Sequence, residues 1–177
     1  MNLALTLMLG LAAQDDSMAV RPLLEQGDYA AAWERQAAEP DALRRARMRC
    51  EILYSAGDPA GALEAAREGL RHAPGDLELL HRACSAALWM GDSRAAEEEA
   101  HELERALSQA VLAAENRPAW EENVRAFRRR AGELSAHEAM RDASAARARR
   151  TALAALVTAV GALLGLSAQG RSSRPVS

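Results

Sequence analysis

Residues 50–66 read CEILYSAGDPAGALEAA, and residues 84–100 read CSAALWMGDSRAAEEEA. The two segments lie 34 residues apart and share a cysteine, a Gly-Asp pair and two alanines in the same register. The matched residues are Cys50 and Cys84, Gly57-Asp58 and Gly91-Asp92, Ala62 and Ala96, and Ala66 and Ala100. A fixed period of this length indicates a helical repeat, whose units stack and bury apolar faces against one another. The sequence therefore predicts an all-α stack of helical pairs.

Each Gly-Asp pair is predicted to separate the two helices of a repeat. Leu43–Ala56 and Leu77–Met90 each have the length of about four helical turns. The glycine that follows each of them can adopt the left-handed conformation that ends a helix. The second helices are expected to begin at Pro59 and Ser93, because proline and serine favour helix starts.

This arrangement resembles the tetratricopeptide repeat over residues 43–107. The family's small residues and its closing proline are matched by Cys50, Cys84, Ala62, Ala96 and Pro74. The sequence departs from the family at Arg49, Gly69 and Leu103, and neither first helix has an early Trp. The resemblance implies a protein-binding module whose ligand peptides lie along the concave face made by the first helices.

Turn signals and composition divide the chain into seven segments. The first repeat is degenerate, because Pro22 interrupts its first helix and Pro40 shortens its second. No proline closes the last repeat, so its second helix is expected to continue to about Asn116. The predicted segments are a signal peptide (1–13), the degenerate repeat (14–42), a repeat (43–76), a repeat with an extended second helix (77–117), a basic capping or juxtamembrane helix (118–150), a transmembrane helix (151–168) and a short tail (169–177).

Two apolar runs lie near the ends of the chain. Thr151–Ala168 has 18 residues without a charge, just enough to cross a bilayer as a helix; a buried amphipathic helix is the alternative. Leu3–Ala13 ends in small residues, as a cleaved secretory signal does; an extra helix packed on the first repeat is the alternative. Together they predict a single-pass protein of the cell membrane with extracytoplasmic repeats. Without the signal, the arginines at 147, 149 and 150 favour a tail-anchored, cytoplasmic orientation.

The helix predicted after the last repeat carries an apolar stripe. Trp120, Val124, Phe127, Ala131 and Leu134 fall on one face at alternating spacings of four and three residues. We expect this stripe to cap the open end of the stack, as terminal repeats require. A short coiled coil with a second copy is the alternative.

Charge and motifs argue against several functions. Asp and Glu are in excess over residues 15–117, whereas residues 120–150 are basic without interleaved aromatics, which does not suggest nucleic-acid binding. His101-Glu102 and His137-Glu138 begin zinc-protease motifs, but arginines occupy the places of the second histidines. Equivalent positions on stacked helices lie too far apart for a disulfide, so both cysteines are predicted to be free and buried. We expect no enzymatic activity, no metal and no cofactor.

The resemblance places candidate partner-binding residues on the two first helices. They are Arg44, Arg47, Glu51, Tyr54 and Ser55, followed by Glu78, His81, Ser85, Leu88 and Trp89. Trp89 is the expected anchor, because Trp is over-represented among binding hot spots; packing under a neighbouring helix is the alternative. Glu51 stands where a carboxylate clamp needs Asn, so recognition of a partner's C-terminal carboxylate is not expected.

The predicted span also carries a self-association motif. Gly161 and Gly165 form Gly-x-x-x-Gly on a small-residue face, which allows two helices to approach closely and predicts a weak homodimer. The sequence as a whole predicts a membrane-anchored, non-catalytic adaptor or scaffold that holds a protein or peptide partner of unknown identity. A structural membrane protein that self-associates through the span and the juxtamembrane helix is the alternative.

Overall fold

The structure is a computed structural model that describes the backbone of residues 19–172 and the side chains up to Leu156, together with Thr158. It divides into two units, Met1–Ser135 and Ala136–Ser177. Over the described range it contains α-helices and no strand, so the prediction of an all-α fold is confirmed. The helices are α1 (Arg21–Glu25), α2 (Tyr29–Ala37), α3 (Ala42–Ser55), α4 (Pro59–His72), α5 (Leu77–Met90), α6 (Ser93–Gln109) and α7 (Arg117–Ser172).

A glycine in the left-handed conformation ends α1, α3 and α5. The φ angles of Gly27, Gly57 and Gly91 are 76°, 82° and 72°. At the central turn the Asp58 N–H donates to the Leu53 carbonyl at 2.9 Å, and the Gly57 N–H donates to the carbonyl of the next residue, Tyr54, at 3.2 Å. These are the two hydrogen bonds of a Schellman motif, and they satisfy carbonyls that the helix end would leave unpaired. The predicted helix-ending role of the Gly-Asp pairs is confirmed.

An aspartate caps the N-terminus of every helix from α2 to α6. In each case the carboxylate accepts a hydrogen bond from the backbone N–H three residues later, at 2.8–3.0 Å. Such a cap is worth about 1 kcal/mol per helix and fixes where the helix begins. The capping residues are Asp28, Asp41, Asp58, Asp76 and Asp92.

Consecutive helices from α2 to α6 pack against each other as two hairpins, α3–α4 and α5–α6, with α1 and α2 at one end. Alanine and cysteine make up much of the core, and the large buried side chains are few. A Cβ on Gly69 would lie 2.5 Å from Leu79 Cδ1 and 3.1 Å from Ala46 Cβ. Glycine at this position therefore allows α4 to approach α3 and α5 more closely than alanine would.

The beginning of α7 covers the other end of the hairpins within the first unit. Val124 packs into the core cluster between α5 and α6, and Ala131 packs against Ala87 and the start of α6. Both α7 side chains are buried, with relative exposures of 4% and 0%. Trp120 and Phe127 are partly buried against the same cluster. The face that carries this stripe is thus occupied within the unit.

Helix α6 ends at Gln109, earlier than the predicted end at about Asn116. Ala110 takes an extended conformation, with ψ of 136°, so the helix cannot continue. Arg117 then donates to the carbonyls of Leu107 and Ala110, at 3.4 and 2.9 Å. A cation suits this position because the C-terminal carbonyls of a helix carry partial negative charge.

The prediction of a transmembrane helix over Thr151–Ala168 is wrong. Within the described part of the chain, no helix combines the length and the apolar character that crossing a bilayer requires. The run has the minimum length for a span, and most of it is Ala, Gly, Thr and Ser, which offer little apolar area per residue. In α7 it also continues directly from Arg149 and Arg150.

Three other predictions fall outside what the structure describes. The predicted signal peptide, residues 1–13, lies outside the described residues. The same holds for residues 173–177 of the predicted tail. Gly161 and Gly165 lie in the part of α7 for which only the backbone is described.

Candidate functional site

Three side-chain contacts connect α3 directly to α5, and we call this set the α3–α5 ladder. In order along both helices, they pair Arg47 with Asp76, Glu51 with Arg82, and Tyr54 with Trp89. Four of the predicted binding residues thus belong to one continuous surface. The ladder changes from charged to aromatic along its length.

The first contact supports the start of α5. One carboxylate oxygen of Asp76 caps α5 by accepting from the Leu79 N–H at 3.0 Å, and the other accepts from the Arg47 guanidinium. The Asp76 side chain is only 6% exposed, whereas that of Arg47 is 22% exposed. Arg47 therefore has a structural role, because it neutralises a buried capping carboxylate.

The second contact holds a buried carboxylate between two arginines. Glu51 is 8% exposed, and its two oxygens lie 2.5 Å from Arg82 Nη2 and 3.7 Å from Arg21 Nη2. A buried carboxylate is costly unless it is paired, so these contacts are needed to keep Glu51 in place. They join α1, α3 and α5 at one point. The Arg82 guanidinium also lies over the Tyr54 ring, 5.7 Å from its centroid.

The third contact is an aromatic pair at the ends of α3 and α5. The ring centroids of Tyr54 and Trp89 are 5.0 Å apart, with an angle of 70° between the planes. This edge-to-face geometry is favourable and restricts the indole orientation. Trp89 nevertheless remains 52% exposed, and the neighbouring Met90 is 38% exposed. The pair thus presents a large apolar surface that is oriented but not covered.

The remaining predicted residues differ in their surroundings. His81 makes edge-to-face contacts with Trp120 and Phe127 of α7, with centroid distances of 5.9 and 5.0 Å. Burial, and secondarily the charge of Arg82, lower the pKa of His81 from 6.5 to about 4, so the ring is neutral at pH 7. Ser85 donates its hydroxyl to the His81 carbonyl at 2.9 Å. Arg44 is exposed, at the first turn of α3.

Neither cysteine has the surroundings of a nucleophile. Both are free and buried, as predicted. Burial raises the pKa of Cys50 to about 12, and burial also raises the pKa of the Cys84 thiol. Both therefore remain protonated at neutral pH, and a protonated thiol is a poor nucleophile. The residues that the structure describes contain no group of three His, Cys, Asp or Glu side chains able to hold a metal ion.

An acidic concavity on α6 is occupied by ion pairs rather than open for a ligand. It is lined by Glu97, Glu98, Glu99, His101 and Glu102. Three of these carboxylates bind arginines: Glu99 is buried and lies 2.7 Å from Arg67 Nη2, while Glu98 and Glu102 pair along the helix. The Arg67 contact joins α4 to α6, so this surface has a structural role.

No family model, curated protein or solved structure matches the chain. Sequence reasoning missed Arg21, Asp76 and Arg82 as members of this surface. One signal could have indicated partners of this kind: Glu51 lies between the apolar positions Cys50 and Ile52 of α3, and a carboxylate that is buried beside them requires a cation.

Proposed function

We propose that the chain is a non-catalytic, protein-binding module of tetratricopeptide-like repeats whose α3–α5 ladder binds a segment of a partner protein. The observation that carries this proposal is the exposure of Trp89. The indole is held edge-on by Tyr54, yet half of its surface is open to a ligand. Tryptophan in this situation can bury a large area on a partner while few additional degrees of freedom are lost.

The residues around Trp89 support a role of the exposed indole in binding a partner. The ion pairs of Glu51 and Asp76 fix the relative positions of α3 and α5, so the surface beside the aromatic pair is rigid. Rigid surfaces bind more tightly because they lose less conformational entropy on association. The neighbouring Met90 extends the apolar area with a side chain that adapts to different shapes.

The chemistry of the described residues supports a non-catalytic role. The thiols of Cys50 and Cys84 are buried and protonated, and His81 is enclosed by two aromatic rings. A general base must reach the proton that it abstracts, and His81 instead packs in the interface between α5 and α7. The features that remain accessible are those of a binding surface.

Site-specific photo-crosslinking tests this proposal in the cell of origin. Trp89 is replaced by p-benzoylphenylalanine, and the exposed Glu64 of α4 is replaced in the same way as a matched control. We expect a discrete crosslinked adduct from position 89 and none from position 64. Equal adducts from both positions, or no adduct from position 89, would refute a binding role for the ladder.

A further inference from the structure

We infer that residues 143–156 of α7 bind the surface of an anionic lipid membrane, with the helix lying along that surface and not crossing it. This inference goes beyond the proposed function, because it concerns the second unit and not the α3–α5 ladder. It rests on arginines that have no acidic partner, on exposed leucines that share a face with them, and on the uneven charge of the chain.

This part of α7 has no buried side chain. Every residue from Ala139 to Leu156 is exposed, and Leu153 and Leu156 keep 62% and 61% of their surface in water. Most helical stability in proteins comes from packing one face of the helix against something else. A surface that covers one side of this segment would therefore stabilise it.

The arginines of the segment lack acidic partners among the described residues. Arg149 and Arg150 make no ion pair, and Arg147 donates only to the Ala143 carbonyl of its own helix, at 3.4 Å. No Asp or Glu occurs in residues 143–177 of the sequence. Residues 143–156 thus carry three positive charges that no carboxylate of the segment neutralises.

The sign of this charge is opposite to that of the rest of the chain. Residues 136–177 hold six arginines and two acidic residues, a net charge of +4, whereas the whole chain has a net charge of −3, which leaves −7 for residues 1–135. An anionic surface therefore repels the chain as a whole, and attraction has to come from the second unit. Each arginine close to an anionic bilayer raises the affinity about fivefold.

Arginine and leucine side chains share one face of this segment. Arg149, Leu153 and Leu156 follow each other at spacings of four and three residues, which places them on the same side of a helix. The opposite side carries Ser144 and Thr151, whose hydroxyls donate to carbonyls of the helix at 2.7 and 3.1 Å. On a membrane the leucines would enter the boundary between headgroups and acyl chains, while the long arginine side chains reach the lipid phosphates.

Two features favour lipid over nucleic acid, although guanidinium groups bind the phosphates of both. Residues 136–177 contain no Phe, Tyr or Trp that could stack on bases. Leu153 and Leu156 would gain nothing from a phosphate backbone, whereas the acyl boundary of a membrane removes them from water.

Sedimentation of the full-length chain with lipid vesicles tests this inference. Vesicles of equal parts phosphatidylcholine and phosphatidylglycerol are compared with vesicles of phosphatidylcholine alone. We expect the affinity for the anionic vesicles to be at least about tenfold higher and to fall as NaCl is added, because salt screens exposed charges. Equal affinity for both kinds of vesicle, or no binding to either, would overturn the inference.

Matched arginine variants locate the contact. Replacing both Arg149 and Arg150 by Gln should lower the affinity for anionic vesicles about 25-fold. Replacing Arg35 of α2 and Arg71 of α4 by Gln removes the same charge from exposed positions of the first unit. This control should change the affinity by less than about twofold, because charges distant from the contact are screened. Similar losses in the two double variants would contradict a binding site on α7.

Tryptophan fluorescence reports which face of the helix meets lipid. The Leu153→Trp and Ser144→Trp variants each add an indole, one on either side of the segment, and their emission is compared with that of the wild-type chain. Addition of anionic vesicles should shift the added emission to the blue only in Leu153→Trp, because only this indole enters the apolar boundary. Equal shifts in both variants would refute a helix that lies on its leucine face.

A competition experiment separates lipid from nucleic acid. Polyuridylate is added to the vesicle-bound protein at the same phosphate concentration as the anionic lipid, and we expect most of the protein to stay on the vesicles. Its complete release would overturn the inference in favour of a nucleic-acid ligand. Crosslinking at position 89 needs no membrane, so it judges the proposed function independently of these results.

Discussion

Acidification should destabilise the fold through His81, and replacing this histidine by phenylalanine should remove that effect. The ring is neutral and enclosed by Trp120 and Phe127, beside the cationic Arg82. Phenylalanine keeps an aromatic ring at the interface between α5 and α7 but cannot bind a proton. The comparison between the two proteins therefore isolates the effect of protonation from that of packing.

The sign and the size follow from the pKa of His81. Because its pKa is about 4 in the folded chain and 6.5 in the unfolded chain, the unfolded state binds more protons between these values. Stability from the neutral ring is thus present above pH 6.5 and is lost as the pH falls toward 4. The expected loss between pH 7 and pH 5 is about 2 kcal/mol. This window lies above the range in which most carboxylates titrate.

Urea unfolding followed by circular dichroism at pH 7, 6 and 5 measures this difference. The free energy of unfolding of the wild-type protein should fall by about 2 kcal/mol more than that of His81→Phe. Replacement of the exposed His101 by Phe serves as the matched control for a histidine outside this interface. Parallel pH profiles for wild type and His81→Phe would refute the view that this histidine is buried and neutral.

Three further predictions concern stability. Gly57→Ala should lower the free energy of unfolding by about 1–2 kcal/mol, because alanine is strained in the left-handed conformation of this residue. Gly132→Ala should raise the free energy of unfolding by up to about 1 kcal/mol, because the added methyl group in α7 meets no neighbouring atom and alanine favours the helix. Arg82→Ala should cost about 3 kcal/mol in urea unfolding, since it removes the closest partner of a buried carboxylate, whereas Arg94→Ala on the surface of α6 should change little. Trp89→Ala should lower the thermal midpoint by about 4–12 °C, because it removes the half of the indole that packs against Tyr54; an unchanged midpoint would show that the aromatic pair does not contribute to the fold.

The boundaries of the central helices could be predicted because local chemistry determines them. Gly57 and Gly91 take the conformation that few other residues tolerate, and the aspartates beside them cap the next helix. Both effects act within a segment of six residues, so the local sequence alone determines where these helices begin and end. The end of α6 could not be obtained in this way, since it depends on Arg117 reaching back to the last turn from the start of α7.

Apolar composition alone gave a wrong answer for Thr151–Ala168. Absence of charge over 18 residues predicts a span, although most residues of the run are small. Alanine is a strong helix former but contributes little to the transfer free energy into an apolar phase. The same property explains why alanine serves so well in the core of the hairpins, where close helix approach matters more than bulk.

The candidate site could be predicted in position but not in the roles of its members. The repeat frame placed Arg47, Glu51 and Trp89 on the first helices, and all three lie along the α3–α5 ladder. Which of them is accessible depends on contacts distant in sequence. Asp76 and Arg82 engage the two charged residues, and α7 covers His81. The periodicity of a single helix contains no information about these distant partners.

The exposure of Trp89 is informative because this core has so few large side chains. The corresponding residue of the preceding repeat, 34 positions earlier, is Ser55, so the repeat frame does not require an aromatic residue here. Covering the exposed half of an indole removes about 100 Å² from water, which corresponds to about 2–3 kcal/mol. The folded chain does not gain this free energy, because half of the indole stays in water. Its Ala-rich hairpins nevertheless have little other apolar surface to bury. A partner that covers Trp89 would gain this free energy on binding.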